Sequence, residues 1–136
     1  MPYLDSNVFI YPVIYSVEAQ PKAKKAKEIL LSVENGKLSA YTSTLTWDEV
    51  VWVVNRTMGR NEGISQGRKL LGFPNLQFVP VDENVIANAQ RLMDKYKLDP
   101  RDSIHLASAL EKRSKSVISD DEDFDQIKEI KRIPIE

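Results

Sequence analysis

The segment YLDSNVFIY, residues 3–11, places an acid, Asp5, and an amide, Asn7, inside a strongly apolar stretch. The apolar residues predict a short buried strand that ends at Asp5, and a short helix capped by Ser6 or Asn7 follows towards Pro12. A carboxylate in apolar surroundings is costly unless a partner compensates its charge. Asp5 is therefore either a helix cap or turn residue, or a carboxylate that binds a cation or takes part in catalysis.

Strand-like and helix-like segments alternate along the whole chain, which predicts an α/β fold with a mainly parallel central sheet. The predicted strands cover residues 2–5, 38–43, 76–81, 116–119 and 132–135, and the predicted helices after the first cover residues 22–35, 46–57, 62–71, 82–96 and 99–115. No linker or repeat divides the chain, so we expect a single domain over residues 1–136. Sites in such folds form beyond the carboxyl ends of the strands. Asp5 and the acidic segment 120–125 both follow predicted strands, and both can therefore lie at one edge of the sheet.

The composition excludes several classes of protein. The 136 residues include 42% hydrophobic and 29% charged residues, which is typical of a globular domain. There is no cysteine, so disulfides and thiolate metal sites are excluded. The lack of cysteine is compatible with a protein of the reducing cytoplasm. No apolar run is long enough to span a membrane, and the N-terminus is not typical of a signal peptide. The net charge of −1 and the pI of about 5.9 do not indicate a basic nucleic-acid-binding protein.

Two acids lie near predicted helix starts, and each has a structural alternative. Glu49 follows Thr46 by three residues, which is the spacing of a capping box, yet it precedes the apolar run 50–54. Asp102 follows Asp99 by three residues and could interact favourably with the helix dipole. Because Asp99 already serves as the predicted cap, Asp102 is not needed for capping and is a candidate site residue.

The segment SDDEDFD, residues 119–125, contains five acids in its last six positions. The spacing of Asp121, Asp123 and Asp125 matches the first three ligands of an EF-hand loop. Gln126 replaces the required glycine and Arg132 the final glutamate, which excludes a calcium loop of that type. A solvated acidic loop is one interpretation of this segment. The alternative is that these acids join Asp5, Glu49 and Asp102 in a set of oxygen ligands suited to Mg²⁺ or Mn²⁺.

Four short motifs, in this order, resemble the PIN domain family, and most closely its single-domain VapC-type toxins. They are YLDSNVFIY around Asp5, TLTWDEV around Glu49, DPRDSIHLASAL around Asp102, and VISDDEDFDQI around Asp121. The resemblance covers essentially the whole chain. It implies a three-layer α/β/α fold and a metal-dependent endoribonuclease that is the toxin of a type II VapBC toxin–antitoxin pair.

The resemblance also implies roles for individual residues. The catalytic and metal-binding acids would be Asp5, Glu49, Asp102 and Asp121, supported by Asn7, Ser119 and Asp123, with Mg²⁺ or Mn²⁺ as the cofactor. Whether Asp120 replaces Asp121 as the fourth acid, and whether one or two ions bind, stays open. His105, one helical turn beyond Asp102, is expected to pack or form hydrogen bonds near the site.

An RNA substrate needs positive surface, and Arg101 and Arg56 are the first candidates to supply it. A homodimer is expected by resemblance, and the helix 46–57 supports it because apolar residues cover nearly all of its sides. A VapB-type antitoxin is the expected partner of a toxin. The RNA target, the cleavage site and the physiological metal are not determined by the sequence.

Other functions fit the sequence less well. A phosphatase of the haloacid dehalogenase type needs a second aspartate two residues after the first, where this chain has Asn7. A receiver domain needs its aspartate after a middle strand. Ribonucleases that use a histidine pair are excluded by the single histidine. A PIN nuclease that acts in RNA processing outside a toxin pair, or a non-catalytic PIN-like interaction module, remains as an alternative.

Overall fold

Five parallel strands form the centre of the molecule, and the computed structural model describes all of residues 1–136. The strands are β1 (Tyr3–Leu4), β2 (Ala40–Ser43), β3 (Leu76–Val79), β4 (Ser116–Ile118) and β5 (Lys131–Ile133). The helices are α1 (Ser6–Ile14), α2 (Pro21–Glu34), α3 (Thr44–Met58), α4 (Arg60–Leu71), α5 (Glu83–Lys95) and α6 (Pro100–Glu111), with a 3₁₀ helix at Glu122–Gln126. The prediction of an α/β fold with a mainly parallel sheet is confirmed, and every strand pair is parallel.

The two faces of the sheet carry separate apolar cores because successive strand residues point to opposite sides. Leu4 and Ile118 pack into a core that includes residues of α1 to α4. Tyr3 and Val117, their neighbours in the chain, pack into a second core that includes Leu106 of α6. The helices thus cover both faces of the sheet, which makes the three layers that the resemblance implies.

The strand order β3-β2-β1-β4-β5 places a change of direction next to β1. The chain moves from β1 through β2 to β3 on one side, and then crosses to β4 and β5 on the other. In parallel sheets, the crevice between strands that diverge in this way is the usual place for a site. Here the crevice lies between the carboxyl ends of β1 and β4, where Asp5 and Ser119 directly follow the strands.

Two predicted helix caps are wrong. Asp5 itself caps α1, with its side chain accepting a hydrogen bond from the Ser6 amide, so neither Ser6 nor Asn7 is the cap. Ser43 caps α3 through the Leu45 amide. The proposed capping box of Thr46 and Glu49 does not form because α3 begins two residues earlier, and the Thr46 hydroxyl bonds that of Thr42 instead.

The apolar helix α3 is buried on one side only. Thr46, Val50 and Val54 face the core, whereas Trp47 and Trp52 are 41% and 57% exposed. Apolar residues therefore lie on several sides of this helix, as the sequence predicts. In the monomer, however, the side that carries the two tryptophans is in contact with solvent. No helix combines the length and the apolar character that a membrane span requires.

Candidate metal and catalytic site

Asp5 is held at the end of β1 by two hydrogen bonds, although only 5% of the residue is exposed. Its Oδ1 accepts a bond from the Ser6 amide at 2.8 Å, and its Oδ2 accepts one from the Ser119 hydroxyl at 2.5 Å. The Ser119 Oγ in turn accepts a bond from the backbone amide of Asp121 at 3.0 Å. Ser119 therefore connects the first acid of the chain with the loop that carries the last one.

His105 joins two further residues to this arrangement. Its Nε2 lies 2.5 Å from Glu49 Oε1 and 3.6 Å from Asp5 Oδ1, and its Nδ1 lies 2.6 Å from the Tyr3 hydroxyl. Burial opposes a charge on His105, but the bond to Glu49 and the nearby carboxylates raise its pKa overall. We call Tyr3, Asp5, Glu49, His105 and Ser119 the buried network.

Three other acids come together with less support, since only the Asp121 carboxylate accepts a hydrogen bond from a protein amide, that of Asp123 at 2.9 Å. The carboxylates of Asp102, Asp121 and Asp123 each offer an oxygen atom, and these atoms lie within 4.8 Å of one another. Asp102 and Asp121 are partly exposed, and Asp123 is exposed. We call these three residues the open acid group. They come from the first turn of α6 and from the loop and 3₁₀ helix after β4.

The crowding of the open acid group changes the acidity of Asp102. Its pKa is raised to about 7, first by burial, then by a hydrogen bond with Asp121 and by the negative charges of Asp121 and Asp5. The nearby His105 lowers it in part. A raised pKa means that the carboxyl group holds a proton more readily when no cation is present. A divalent cation can bind the group in place of that proton.

Asp120 points away from this group. Its carboxylate accepts hydrogen bonds from the Lys22 ammonium at 2.8 Å and from the Tyr11 hydroxyl at 3.0 Å. Burial opposes the charge of Asp120, but the bonds to Lys22 and Tyr11 lower its pKa overall. Of the two adjacent acids, the structure therefore brings Asp121, and not Asp120, towards Asp102.

An open depression of about 680 Å³ lies over the acids, and Pro100 is its only apolar lining residue. Its lining residues are Glu49, Asp99, Pro100, Arg101, Asp102 and Asp121. Arg101 thus reaches the site, whereas Arg56 stacks on the ring of Trp52 at 4.5 Å and does not line the depression. A single arginine beside several carboxylates leaves the depression predominantly acidic.

The predicted site residues therefore fall into two sets. Asp5, Glu49 and Ser119 belong to the buried network, and Asp102, Asp121 and Asp123 form the open acid group. Asn7 lies in the first turn of α1, with its amide oxygen buried and without a hydrogen-bond partner. Asp123 was expected only to support the ligands, yet its carboxylate lies within 4.8 Å of those of Asp102 and Asp121.

The donor set fits a divalent cation of the Mg²⁺ or Mn²⁺ type. All its donors are carboxylate oxygens, which these cations prefer, and the chain contains no thiolate that would favour a softer metal. The open acid group also carries mutual repulsion that a cation relieves.

Tyr3 contributes to the site although no sequence pattern predicted it there. Residues two apart in a strand share a face, so Tyr3 and Asp5 lie on the same side of the sheet, facing α6. His105 lies three residues after Asp102 and thus near it on α6. The strand and helix periodicities place Tyr3 beside Asp5 and His105 beside Asp102. They predict a contact between Tyr3 and His105 only if it is already known that α6 packs against β1.

A sequence model of the PIN domain family matches residues 3–130, and the chain belongs to that family. The match includes both the buried network and the open acid group. A comparison with curated protein sequences finds no match.

Solved structures share the fold over nearly the whole chain. A toxin–antitoxin complex from Klebsiella pneumoniae has a TM-score of 0.70 at 19% identity and covers 100% of this chain and 98% of its own. The VapC20 toxin of Mycobacterium tuberculosis, described as cleaving the sarcin-ricin loop, has a TM-score of 0.72 at 16% identity and covers 92% and 93%. FitAcB from Neisseria gonorrhoeae has a TM-score of 0.71 at 19% identity, with 99% and 98% covered.

Proposed function

We propose that this protein is a divalent-metal-dependent endoribonuclease and the toxin of a VapBC-type toxin–antitoxin pair. The observation that carries the proposal is the open acid group, in which Asp102, Asp121 and Asp123 crowd together at the functional edge of a PIN fold. The structural relatives described as toxins and toxin–antitoxin complexes support the biological role.

The residues of the site have separate tasks in this proposal. Asp5, Glu49, Asp102 and Asp121 would hold Mg²⁺ or Mn²⁺, with support from Asp123, Asn7 and Ser119. A bound cation would supply Lewis acidity and lower the pKa of a bound water. Ser119 keeps Asp5 in place by its 2.5 Å hydrogen bond, and the depression beside the acids is open enough for a phosphodiester to enter.

The expected products are a 5′-phosphate and a 3′-hydroxyl, formed when water attacks the phosphorus and the bond from phosphorus to the 3′ oxygen breaks. The route through a 2′,3′-cyclic phosphate commonly relies on two histidines as acid and base. This chain has one histidine, and both of its ring nitrogens are already within hydrogen-bond distance of protein groups. Mass spectrometry of the RNA ends tests this point, and a cyclic phosphate as the main product would contradict it.

RNA binding would depend on positive residues at the edge of the depression. Arg101 is the first candidate because it lines the depression next to Asp102. Removing it by Arg101→Gln is expected to weaken binding of single-stranded RNA and to reduce the salt dependence of that binding. Arg56→Gln is the matched comparison, because Arg56 stacks on Trp52 instead. Binding that does not depend on salt would contradict the role of positive residues.

A ribonuclease assay with Mg²⁺ or Mn²⁺ tests the central proposal. Activity is expected to disappear on chelation and in both Asp5→Asn and Asp102→Asn. Activity that survives chelation or either substitution would rule out the metal site.

The toxin role is tested separately in growing cells. Expression of the protein is expected to stop growth, and expression of Asp102→Asn is not. If the purified protein cleaves RNA but its expression leaves growth unchanged, a role in RNA processing outside a toxin pair is the better explanation. We expect the protein to act in the cytoplasm, together with its RNA substrate and a VapB-type antitoxin.

We also propose a homodimer. The exposed faces of Trp47 and Trp52 on α3 support it, since large aromatic side chains are enriched at interfaces. The measurement is the molar mass in solution at micromolar concentration, and a monomer there would contradict the dimer.

A further inference from the structure

The only histidine of the chain is held from both sides inside the fold. His105 is 1% exposed, and its ring packs edge to face against Tyr3, with a centroid distance of 5.7 Å and an interplanar angle of 66°. Its Nδ1 lies 2.6 Å from the Tyr3 hydroxyl, and its Nε2 lies 2.5 Å from Glu49 Oε1. An imidazole with both nitrogens engaged has one orientation, because a ring flip would break both hydrogen bonds.

The chemistry of the partners determines the direction of these bonds. An ionised Glu49 only accepts hydrogen bonds, so His105 Nε2 carries a hydrogen and donates it. The Tyr3 hydroxyl is fully buried next to Asp5, which disfavours the phenolate, so Tyr3 keeps its proton. The hydroxyl donates to Nδ1 when the ring is neutral and accepts from Nδ1–H when the ring is charged, and in both states Nε2–H donates to Glu49. A hydrogen-bonded chain therefore joins Tyr3, His105 and Glu49.

Glu49 depends on this chain for its orientation. Its side chain makes no other hydrogen bond, and it extends from α3, whereas the open acid group lies on α6 and in the loop after β4. A glutamate side chain that is free to rotate loses conformational entropy when it is fixed. The hydrogen bond from His105 restricts Glu49 before a ligand arrives.

We propose that Tyr3 and His105 are positioning residues that hold Glu49 beside Asp5, so that its carboxylate faces the open acid group. This inference rests on the proposed metal-dependent nuclease function, and it assigns to Tyr3 and His105 a role through Glu49 and not through substrate. Residues that orient a metal ligand by a hydrogen bond typically change metal affinity or activity 10–100-fold when they are removed.

The hydrogen-bonded chain can be tested without metal or RNA. Because the full chain has a single histidine, its ring signals in ¹H–¹⁵N NMR spectra are unambiguous. We expect a slowly exchanging Nε2 proton with a strong downfield shift in the wild type. Glu49→Ala should remove that shift. A rapidly exchanging Nε2 proton, or a shift that Glu49→Ala leaves unchanged, would overturn the proposal.

The effect on the site is tested with two substitutions of similar size. His105→Gln keeps an N–H donor near the position of Nε2, whereas His105→Leu has no donor. We expect His105→Leu to raise the dissociation constant for Mn²⁺, measured by calorimetry, about 10–100-fold and to lower kcat for RNA cleavage by a similar factor with KM nearly unchanged. His105→Gln should recover most of both losses.

Two further variants keep the test informative. His105→Leu leaves the buried Tyr3 hydroxyl without its partner, which can destabilise the fold. Tyr3→Phe/His105→Leu removes both polar groups and is expected to fold while still binding Mn²⁺ weakly. Tyr3→Phe alone is expected to weaken Mn²⁺ binding a few-fold, since Nδ1 of His105 loses its hydrogen-bond partner.

The outcomes separate this inference from the function on which it rests. If His105→Leu and Tyr3→Phe/His105→Leu bind Mn²⁺ and cleave RNA as the wild type does, the positioning role is overturned and the nuclease function is retained. If the wild type neither binds Mn²⁺ nor cleaves RNA, the proposed function is overturned. The NMR measurement then decides by itself whether His105 holds Glu49.

Discussion

The two halves of the site hold their negative charges in opposite ways. In the buried network, Asp5 and Glu49 are compensated by neighbouring groups: the Ser6 amide, the Ser119 hydroxyl and the imidazole of His105. In the open acid group, Asp102 lies against Asp121 and near Asp123, and no cationic side chain pairs with any of the three. The charges of the first half are compensated by protein groups, whereas those of the second half carry a repulsion that a cation would relieve.

The difference shows that carboxylates at one sheet edge need not contribute in the same manner. Burial with hydrogen bonds fixes a carboxylate and contributes to stability. Burial and crowding without a cation do the reverse, and both raise the pKa of Asp102. Substitutions in the two halves should therefore have different, and in one respect opposite, effects.

The largest expected effect is on activity. Asp102→Asn removes a carboxylate from the open acid group and should lower kcat for RNA cleavage by at least about a hundredfold. Asp120→Asn is the matched control, because Asp120 is the neighbouring acid that binds Lys22 and Tyr11 instead. Equal losses of kcat in both variants would show that the open acid group does not differ from the acids around it.

The next effect is on stability in the buried network. Asp5→Ala leaves the Ser6 amide and the Ser119 hydroxyl without their acceptor, and we expect it to lower the free energy of unfolding by about 2 kcal/mol. Asp5→Asn keeps an acceptor oxygen and should lose less. Urea denaturation measures both variants. An Asp5→Ala protein as stable as the wild type would mean that these bonds do not compensate the buried charge.

Metal affinity should depend on pH through the open acid group. The pKa of Asp102 is raised to about 7, so at pH 6 this carboxyl is mostly protonated and must release its proton when a cation binds. Mn²⁺ binding, measured by calorimetry, is expected to be about tenfold weaker at pH 6 than at pH 8. In Asp102→Asn, the affinity for Mn²⁺ should differ less between pH 6 and pH 8. Affinity that is constant over this range in the wild type would contradict the raised pKa.

Without metal, Asp102→Asn should stabilise the protein. The pKa of Asp102 is higher in the folded than in the unfolded chain, so the folded state binds more protons between about pH 4 and 7, and stability falls as pH rises through that range. This destabilisation is fully present at pH 8, where Asp102→Asn should raise the free energy of unfolding by about 1 kcal/mol, because the carboxylate is partly exposed and solvent screens part of its charge. At pH 5 the gain should shrink. If Asp102→Asn is less stable than the wild type at pH 8 in the presence of chelator, the charge of Asp102 does not destabilise the metal-free protein.

The smallest effect is expected at Asp99, between the two halves. Asp99 is exposed and stands at the start of α6, but its side chain makes no capping hydrogen bond. Asp99→Asn should therefore change the free energy of unfolding by less than about 0.5 kcal/mol in thermal or urea denaturation. A clearly larger loss would show that Asp99 caps α6 in solution.

Local patterns predicted the elements better than their ends. The strands and helices were found because apolar periodicity reflects burial on one face, which is a property of nearby residues. The caps of α1 and α3 were wrong because the choice between Ser43 and Thr46, or between Asp5 and Ser6, depends on where the strand before the helix leaves the sheet. The apolar pattern of residues 82–96 also predicts that Ile86 and Met93 face inward, but both are exposed, because α5 packs through Val85 and Ala89 against Ala107 of α6.

The sequence by itself determined the α/β alternation, the acidic residues after the strands, the absence of sulfur ligands and the resemblance to the PIN family, because each depends on residue identity and short spacing. Only the tertiary structure decided how the acids divide. Which carboxylate meets a hydroxyl, an imidazole or another carboxylate depends on contacts between residues far apart in the chain, such as Tyr3 with His105 and Asp5 with Ser119. Those contacts arise when β1 and β4 pair and α6 packs against them, so they exist only in the assembled fold.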